Sequence, residues 1–301
     1  MKLTYTLLSL SLFLSSYACA KDVTFDFQTP PQQHVLIPGL FEISGLAIAS
    51  DTTVYAHNDE HAIIYEIDVS TGEALSAFAI GTPTIAADFE GIATNDDRIY
   101  VITSGGILYE SLIGKHQDRM RFNAYDTGVG YFCEVEGLTI GPAHPAGGQH
   151  FLILCKSPLQ EDLKDRLTLY SWNLNDRIPV QSPWLSLDGD EILTKKEQKK
   201  FRPSGIEWLE QTNQLVIISA KNNQYIQLSE TGDVIAKAVL SPNHHPQAEG
   251  LAILPSGQLI IADEGSKLKP GQISVYQPKK LASTLPNNFL FKVFRLSLIH
   301  I

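Results

Sequence analysis

The chain has 301 residues, 44% hydrophobic and 19% charged, with 21 glycines, 16 prolines and 9% aromatic residues. This composition excludes a disordered, collagen-like or disulfide-dense chain and describes a globular protein with enough length for a large core. With 23 basic against 33 acidic residues, net −10, nucleic acid and anionic membrane are excluded as main partners. A small anionic ligand would need local positive charge or a bound cation.

Lys2 is followed by the apolar run Leu7-Leu8-Ser9-Leu10-Ser11-Leu12-Phe13-Leu14 and then by Ala18-Cys19-Ala20. Residues 1–20 read as a secretory signal peptide cleaved after Ala20, which places the mature chain in the periplasm or outside the cell. The competing reading is a lipoprotein cut before Cys19, against which Ser16 stands where that signal usually has leucine. The apolar run is too short to span a bilayer as a helix, so no transmembrane segment is expected. Residues 21–34 form a lead into the folded domain.

From there a repeat governs the chain. Glu42-Ile43-Ser44-Gly45-Leu46-Ala47, Asp88-Phe89-Glu90-Gly91-Ile92-Ala93, Glu134-Val135-Glu136-Gly137-Leu138-Thr139, Arg202-Pro203-Ser204-Gly205-Ile206-Glu207 and Gln247-Ala248-Glu249-Gly250-Leu251-Ala252 share one pattern, with the Ser/Glu positions 46, 46, 68 and 45 residues apart. The surplus in the third interval lies in the polar stretch 157–203, read as a surface insertion. After each segment come turn residues, such as Asn95-Asp96-Asp97 or Ser256-Gly257, and a β-branched run, such as Arg98-Ile99-Tyr100-Val101-Ile102. Units of this length built from short strands are propeller blades. The expected fold is an all-β, five-bladed β-propeller over residues 35–280. His34-Val35-Leu36-Ile37 would supply the outermost strand of the last blade and close the ring. The tail 281–301 fits no blade.

Alternation along a strand puts positions two apart on one side. The Ser/Glu position then forms a ring of Ser44, Glu90, Glu136, Ser204 and Glu249. Above it lies a polar mouth of Glu42, Asp88, Glu134, Arg202 and Gln247, and below it an apolar plug of Leu46, Ile92, Leu138, Ile206 and Leu251. The glycine after each ring residue lets the inner strands crowd together near the axis. Carboxylates ~5 Å apart repel by roughly 3 kcal/mol per pair at an effective dielectric of about 20, so the ring calls for protonation or a cation. Five oxygen-bearing side chains with no histidine or thiol select a hard cation, and an exported setting favours Ca²⁺.

The returning second strands bring Asn58 and Asp59 to Ser44, Ser104 to Glu90, Lys156 to Glu136, Lys221 to Ser204, and Asp263 and Glu264 to Glu249. Lys156, Lys221 and Arg202 offer positive charge to a phosphate or carboxylate ligand; neutralising the acidic mouth is the other reading of these cations. After removal of the leader, Cys133 and Cys155 remain. The expected register leaves them about four residues out of step, ~13 Å apart at ~3.3 Å per residue, and so as two free, semi-buried thiols. His244-His245 before Pro246 reads as an exposed turn, Asp188-Gly189-Asp190-Glu191 as a turn, and Trp172, Trp184 and Trp208 as packing residues.

The ordered set of Glu42-Ile43-Ser44-Gly45-Leu46 with Asn58-Asp59, Asp88-Phe89-Glu90-Gly91, Glu136-Gly137-Leu138 with Lys156, Ser204-Gly205, and Gln247-Ala248-Glu249-Gly250 with Asp263-Glu264 resembles the SdiA-regulated (YjiK-like) family of exported bacterial proteins. That family is related to the esterase-like domain found beside phytases, and it implies no settled reaction. The order Ser, Glu, Glu, Ser, Glu is also similar to the channel of soluble calcium-activated nucleotidases (apyrases), which are five-bladed propellers holding Ca²⁺ in such a ring. This similarity implies ligand roles for Ser44, Glu90, Glu136, Ser204 and Glu249. It does not carry nucleotidase activity over, because that family's other active-site segments have no match here. Two functions follow from the residues. One is an exported binding module with a central Ca²⁺ and a ligand mouth that includes Asn58, Arg202 and Asp263. The other is a Ca²⁺-dependent phosphoester or phosphoanhydride hydrolase. In it Lys156, Lys221 and Arg202 clamp charge and Asp59 or Glu264 activates water. Docking of a protein on the rim would leave no trace in the sequence.

Overall fold

Each Ser/Glu-Gly segment opens a strand whose apolar positions lean on its neighbours, and the turn after it sends the chain back antiparallel. The computed structural model describes residues 25–143, 147–194, 201–267 and 269–279. Five sheets result. From the axis outward, blade 1 comprises Ile43–Ile48, Thr53–Asn58, Ile63–Asp68 and Ala74–Ile80, with the short strand Arg119–Met120 added in parallel at its edge. Blade 2 comprises Phe89–Asn95, Arg98–Thr103, Ile107–Leu112 and Phe122–Asp126, and blade 3 Cys133–Ile140, His150–Pro158, Arg166–Asn173 and Leu185–Asp188. Blade 4 comprises Gly205–Leu209, Gln214–Ser219, Gln224–Ser229 and Val234–Val239. Blade 5 takes Ala248–Ile253, Leu259–Asp263 and Gln272–Tyr276 from its own segment, and its outer strand is Gln32–Val35.

The expected five-bladed propeller and its closure are therefore present. The closing strand runs two residues earlier than the sequence suggested, pairing His34 with Ile273 and Val35 with Gln272. Pairing the early strand Gln32–Val35 with the late strand Gln272–Tyr276 in one sheet ties the ring closed. The stretch 157–203 is more than a surface insertion, since it contains the third and fourth strands of blade 3 and, at Gly189–Ile192, a single helical turn where a plain turn was expected. The signal segment, the tail 281–301 and the lysine-rich residues 195–200 lie outside the described residues.

Five hydrophobic clusters hold the ring, one at each blade–blade interface. The plug residues Leu46, Ile92, Leu138, Ile206 and Leu251 are all buried, and each leans on the preceding blade. Burying a side chain of this size stabilises by ~1.5–3 kcal/mol. The repeat glycines face the next blade instead. A Cβ at Gly91 would stand 2.6 Å from the Leu138 nitrogen, and one at Gly250 3.0 Å from the Gly45 carbonyl carbon. No side chain fits between backbones this close. Trp172 and Trp208 are buried packing residues, as expected.

Cys133 and Cys155 form a disulfide, with Cα atoms 5.7 Å apart, and not the separated thiols expected. The reason is local. Cys133 pairs with Pro158 and Glu134 with Ser157, but Val135 pairs with Cys155 and Gly137 with Leu154. Lys156 on one strand and Glu136 on the other are thus each an extra residue without a cross-strand partner. Such bulges kink a strand and advance its register, which brings the two sulfurs together.

Candidate functional site

The same irregularity recurs around the axis. Ser44 lies between paired Ile43 and Gly45, Glu90 between Phe89 and Gly91, and Glu249 between Ala248 and Gly250, each left out of its ladder. In blade 4 the Ser204 amide bonds the carbonyl of Ile218, which is already the partner of Gly205. The Ser/Glu position is therefore the bulged residue of the inner strand. A bulge re-aims its side chain, and this explains why these polar groups reach the axis although the strand below them is apolar.

Four of the five, Ser44, Glu90, Glu136 and Glu249, line a small axial void of about 10 Å³ together with the glycines and the plug residues. That is about the room of one water-sized sphere. Ser44 donates to Glu90 at 3.1 Å. Lys156 Nζ lies 2.8 Å from a Glu136 oxygen and 3.9 Å from Glu134. Burial pushes the Glu249 carboxyl up to about 9, with Glu136 adding to the rise and Lys156 opposing it. Burial likewise raises Glu90, whose neighbour Glu136 adds to the effect, and burial raises Glu136 against the pull of Lys156. Burial works against the Lys156 charge, but Glu136, Glu90 and Glu134 outweigh it and hold the ammonium above its usual range. Above the ring Asp59 and Glu264 are half-buried. Burial raises both carboxyls, Asp59 with help from Glu42, and Glu264 with help from Asp59 and Glu42. One Asp59 oxygen is buried without a hydrogen-bond partner.

Other expected site residues are placed differently. Ser204 spends its hydroxyl on the backbone, donating to the Ala248 carbonyl at 2.6 Å and accepting from the Ala220 amide at 3.0 Å. The Asn58 side chain bonds the Gly39 carbonyl and the His61 amide. The Arg202 guanidinium donates to the Phe201 carbonyl and borders a side cleft that also holds Lys156, Lys164 and Arg166. Lys221 is exposed and makes no ion pair among the described residues. Asp263 is fully buried, accepting from His245 Nδ1 at 2.9 Å and from the Gln247 amide at 3.3 Å, while the Tyr276 hydroxyl donates to His245 Nε2 at 2.6 Å. His245 is thus a buried core residue and not part of an exposed turn. Its neighbour His244 is held through its backbone, the carbonyl accepting from Gln33 and Gln272 and the amide donating to the Ser241 carbonyl. The sequence hid this group because its three members come from separate segments. Gln247 donates to the Glu264 carboxylate.

The donors around the void are all oxygens, the kind a hard cation prefers. Glu90, Glu136 and Glu249 with Lys156 carry a net charge of about −2 when the carboxyls are ionised, which one divalent cation or two protons would neutralise. Among the described residues, no three His, Cys, Asp or Glu side chains are drawn together as a finished metal cage. An ion would have to draw the ring carboxylates inward.

This defines a propeller whose axial channel is closed by an apolar plug and capped by buried carboxyls. A model of the SdiA-regulated family matches residues 188–289, from the last strand of blade 3 through blade 5, and bears out the resemblance read from the sequence. Similar solved structures include the glutaminyl cyclase of Myxococcus xanthus, at 13% identity and a TM-score of 0.52 over 84% of this chain and 97% of that one. The PQQ-bound aldose sugar dehydrogenase of Streptomyces coelicolor aligns at 12% identity and 0.51 over 83% and 100%. A luciferin-regenerating enzyme aligns at 12% and 0.50 over 84% and 98%. At such identities the likeness is one of fold. No curated protein matches this chain. No helix among the described residues is long and apolar enough to cross a membrane.

Proposed function

We propose that the chain is an exported binding propeller whose upper mouth holds Ca²⁺ against Glu90, Glu136 and Glu249, with the Ser44 hydroxyl as a further oxygen ligand, beneath a pocket for a small anionic ligand. The observation that carries this reading is the group of three carboxyls, Glu136 buried and Glu90 and Glu249 half-buried, around an ion-sized void with one ammonium against Glu136. Without a cation they must hold protons, and a divalent ion removes that need. When bound, the ion would supply a fixed positive charge facing the mouth. Lys156 and, at the edge, Arg202 would add to it for a phosphate or carboxylate. The buried disulfide supports export, since such bonds persist in oxidising compartments.

Hydrolysis of a phosphoester or phosphoanhydride is the second reading, and Asp59 favours it. This carboxyl has a raised pKa and a buried oxygen without a partner, the state expected of a group that takes a proton from water. Lys156 is shared with Glu136 in both readings, but Lys221 stands free in solvent, so the clamp that hydrolysis needs lacks one of its three cations and binding is better supported. Calorimetric titration of the chelator-treated mature chain with Ca²⁺ tests the proposal. Saturable binding with proton release, lost in Glu249→Gln, is expected; no heat in either protein would refute it. Adding aryl phosphates and nucleoside diphosphates to the loaded protein separates the two readings.

A further inference from the structure

Below the plug the channel widens into a second cavity of about 550 Å³, bordered by blades 1 to 4. Here one blade departs from its own repeat. The third residue after the Ser/Glu position is Ala47, Ala93, Thr139 and Ala252 in blades 1, 2, 3 and 5, but Glu207 in blade 4. The next residue is Ile48, Thr94, Ile140 and Ile253 in those blades, but Trp208 in blade 4. Both departures line the cavity.

The half-buried Glu207 side chain makes no hydrogen bond or ion pair among the described residues. Withdrawing an ionisable group from water costs stability unless something pairs with it, and the alanine or threonine of the other blades would avoid that cost. Burial alone pushes its carboxyl up to about 8. The walls around it carry the rings of Tyr55 and Trp208 and aliphatic side chains such as Ile48 and Ile140, with Thr94, Asn95, Thr139, Gln149 and His150 among them. Asp96 and Glu210 stand exposed in the lining, and among the described residues no lysine or arginine lines the cavity. Negative charge with no positive counterpart excludes an anionic ligand. The three carboxylates of the lining are not drawn together as a metal site among the described residues. What remains is a cation with an apolar body.

We propose that the lower mouth is a binding site for a small organic ammonium, its charged head on Glu207 and its methyl or methylene groups against Trp208 and Tyr55. The forces are an ion pair formed away from water and cation–π attraction to the indole and phenol faces. The site is separated from the upper ring by the plug and does not depend on it.

The test titrates the full mature chain with choline, in the presence of a chelator that silences the upper ring, following heat and tryptophan fluorescence. Saturable binding in the millimolar range or tighter is expected. The neutral isostere dimethylbutanol should bind at least about ten-fold more weakly, and Glu207→Gln should lose about the same factor for choline but not for the alcohol. Absence of saturable choline binding overturns the proposal. So does equal binding of choline and its neutral isostere to the unaltered protein, a comparison that does not rely on any variant folding.

Discussion

The two mouths of the propeller are built from the same five strands and handle buried charge in opposite ways. At the upper end the repeat places an oxygen donor at the bulged position of every blade, and three carboxyls share one ammonium at the axis. At the lower end the repeat places small or aliphatic residues in four blades and a lone carboxyl in the fourth blade, Glu207, with no counter-charge. A feature written into all five blades makes a symmetric site suited to a spherical ion. A feature written into one blade makes a lopsided site suited to a molecule with a head and a body. The plug keeps the two apart, and experiments that disturb one end should leave the other readable.

The largest expected effect falls on the upper mouth alone. The disulfide ties the inner strands of blade 3 at the bulge that presents Glu136 and Lys156. It closes a loop with a sequence separation of 22, for which chain entropy gives about 3 kcal/mol. Replacing both cysteines with alanine should lower stability in urea by about that amount and weaken Ca²⁺ binding. Choline binding at the lower mouth should be retained where the protein is still folded. Equal loss at both ends would mean that the plug does not insulate them.

A pH titration sharpens the comparison further. Glu90, Glu136, Glu249 and Glu207 have folded-state pKa values raised above the unfolded value of 4.5. Between that value and their folded pKa values the native state binds more protons than the unfolded chain. The stability they lend is therefore full at low pH and is lost as pH rises toward about 9. His57 works on the other side. Burial lowers its pKa from 6.5 to about 4, so stability is lost as pH falls through that window. The melting temperature of the chelated protein should thus decline steadily from pH 6.5 to 9. Ca²⁺ should remove most of this decline by replacing the protons of the upper ring, with affinity rising as pH rises. Part of the remainder belongs to Glu207, and the decline should shrink further in Glu207→Gln. A flat profile without Ca²⁺ would contradict the buried state of these carboxyls.

How much of this was legible in the sequence depends on the kind of pattern that carries it. The blades, their closure and the axial placement of Ser44, Glu90, Glu136 and Glu249 were readable because Ser44-Gly45, Glu90-Gly91, Glu136-Gly137, Ser204-Gly205 and Glu249-Gly250 mark one strand position five times. A one-residue error in any single unit is corrected by the others. The bulges were not readable. Strict alternation puts Cys133 and Cys155 too far apart, and only the extra residues Glu136 and Lys156 bring them into contact. The His245–Asp263–Tyr276 group escaped for a different reason, since local context made His244-His245-Pro246 look like a solvent turn while the partners of His245 lie on two later strands. Glu207 was visible all along as the fourth unit's departure from Ala and Thr, but a departure carries meaning only once the position is known to be buried.

The two lysines that the sequence placed together at the upper mouth give the smallest and most selective comparison. Lys156 sits 2.8 Å from Glu136, in the electrostatic field of Glu90 and Glu249. Lys221 is exposed, and its neighbour Ala220, not its own side chain, meets Ser204. If the ring holds a divalent cation, Lys156 is that ion's competitor for the carboxylates. A unit charge ~6 Å from a divalent ion at an effective dielectric of about 20 opposes it by roughly 5–6 kcal/mol, much less after discounting for its partial exposure. Lys156→Met should therefore tighten Ca²⁺ binding by about ten-fold at pH 8 or above, while costing the protein some stability in the chelated state. If Lys156 instead serves mainly to hold an anionic ligand, the same change would leave Ca²⁺ affinity alone and abolish the retention of inorganic phosphate by the loaded protein. Lys221→Ala should change stability by no more than ~0.5 kcal/mol, as surface substitutions usually do, and should leave Ca²⁺ binding where it was. A loss of Ca²⁺ affinity in Lys221→Ala matching that of Glu249→Gln would place this lysine in the ring's first neighbourhood and overturn the division drawn between the two residues.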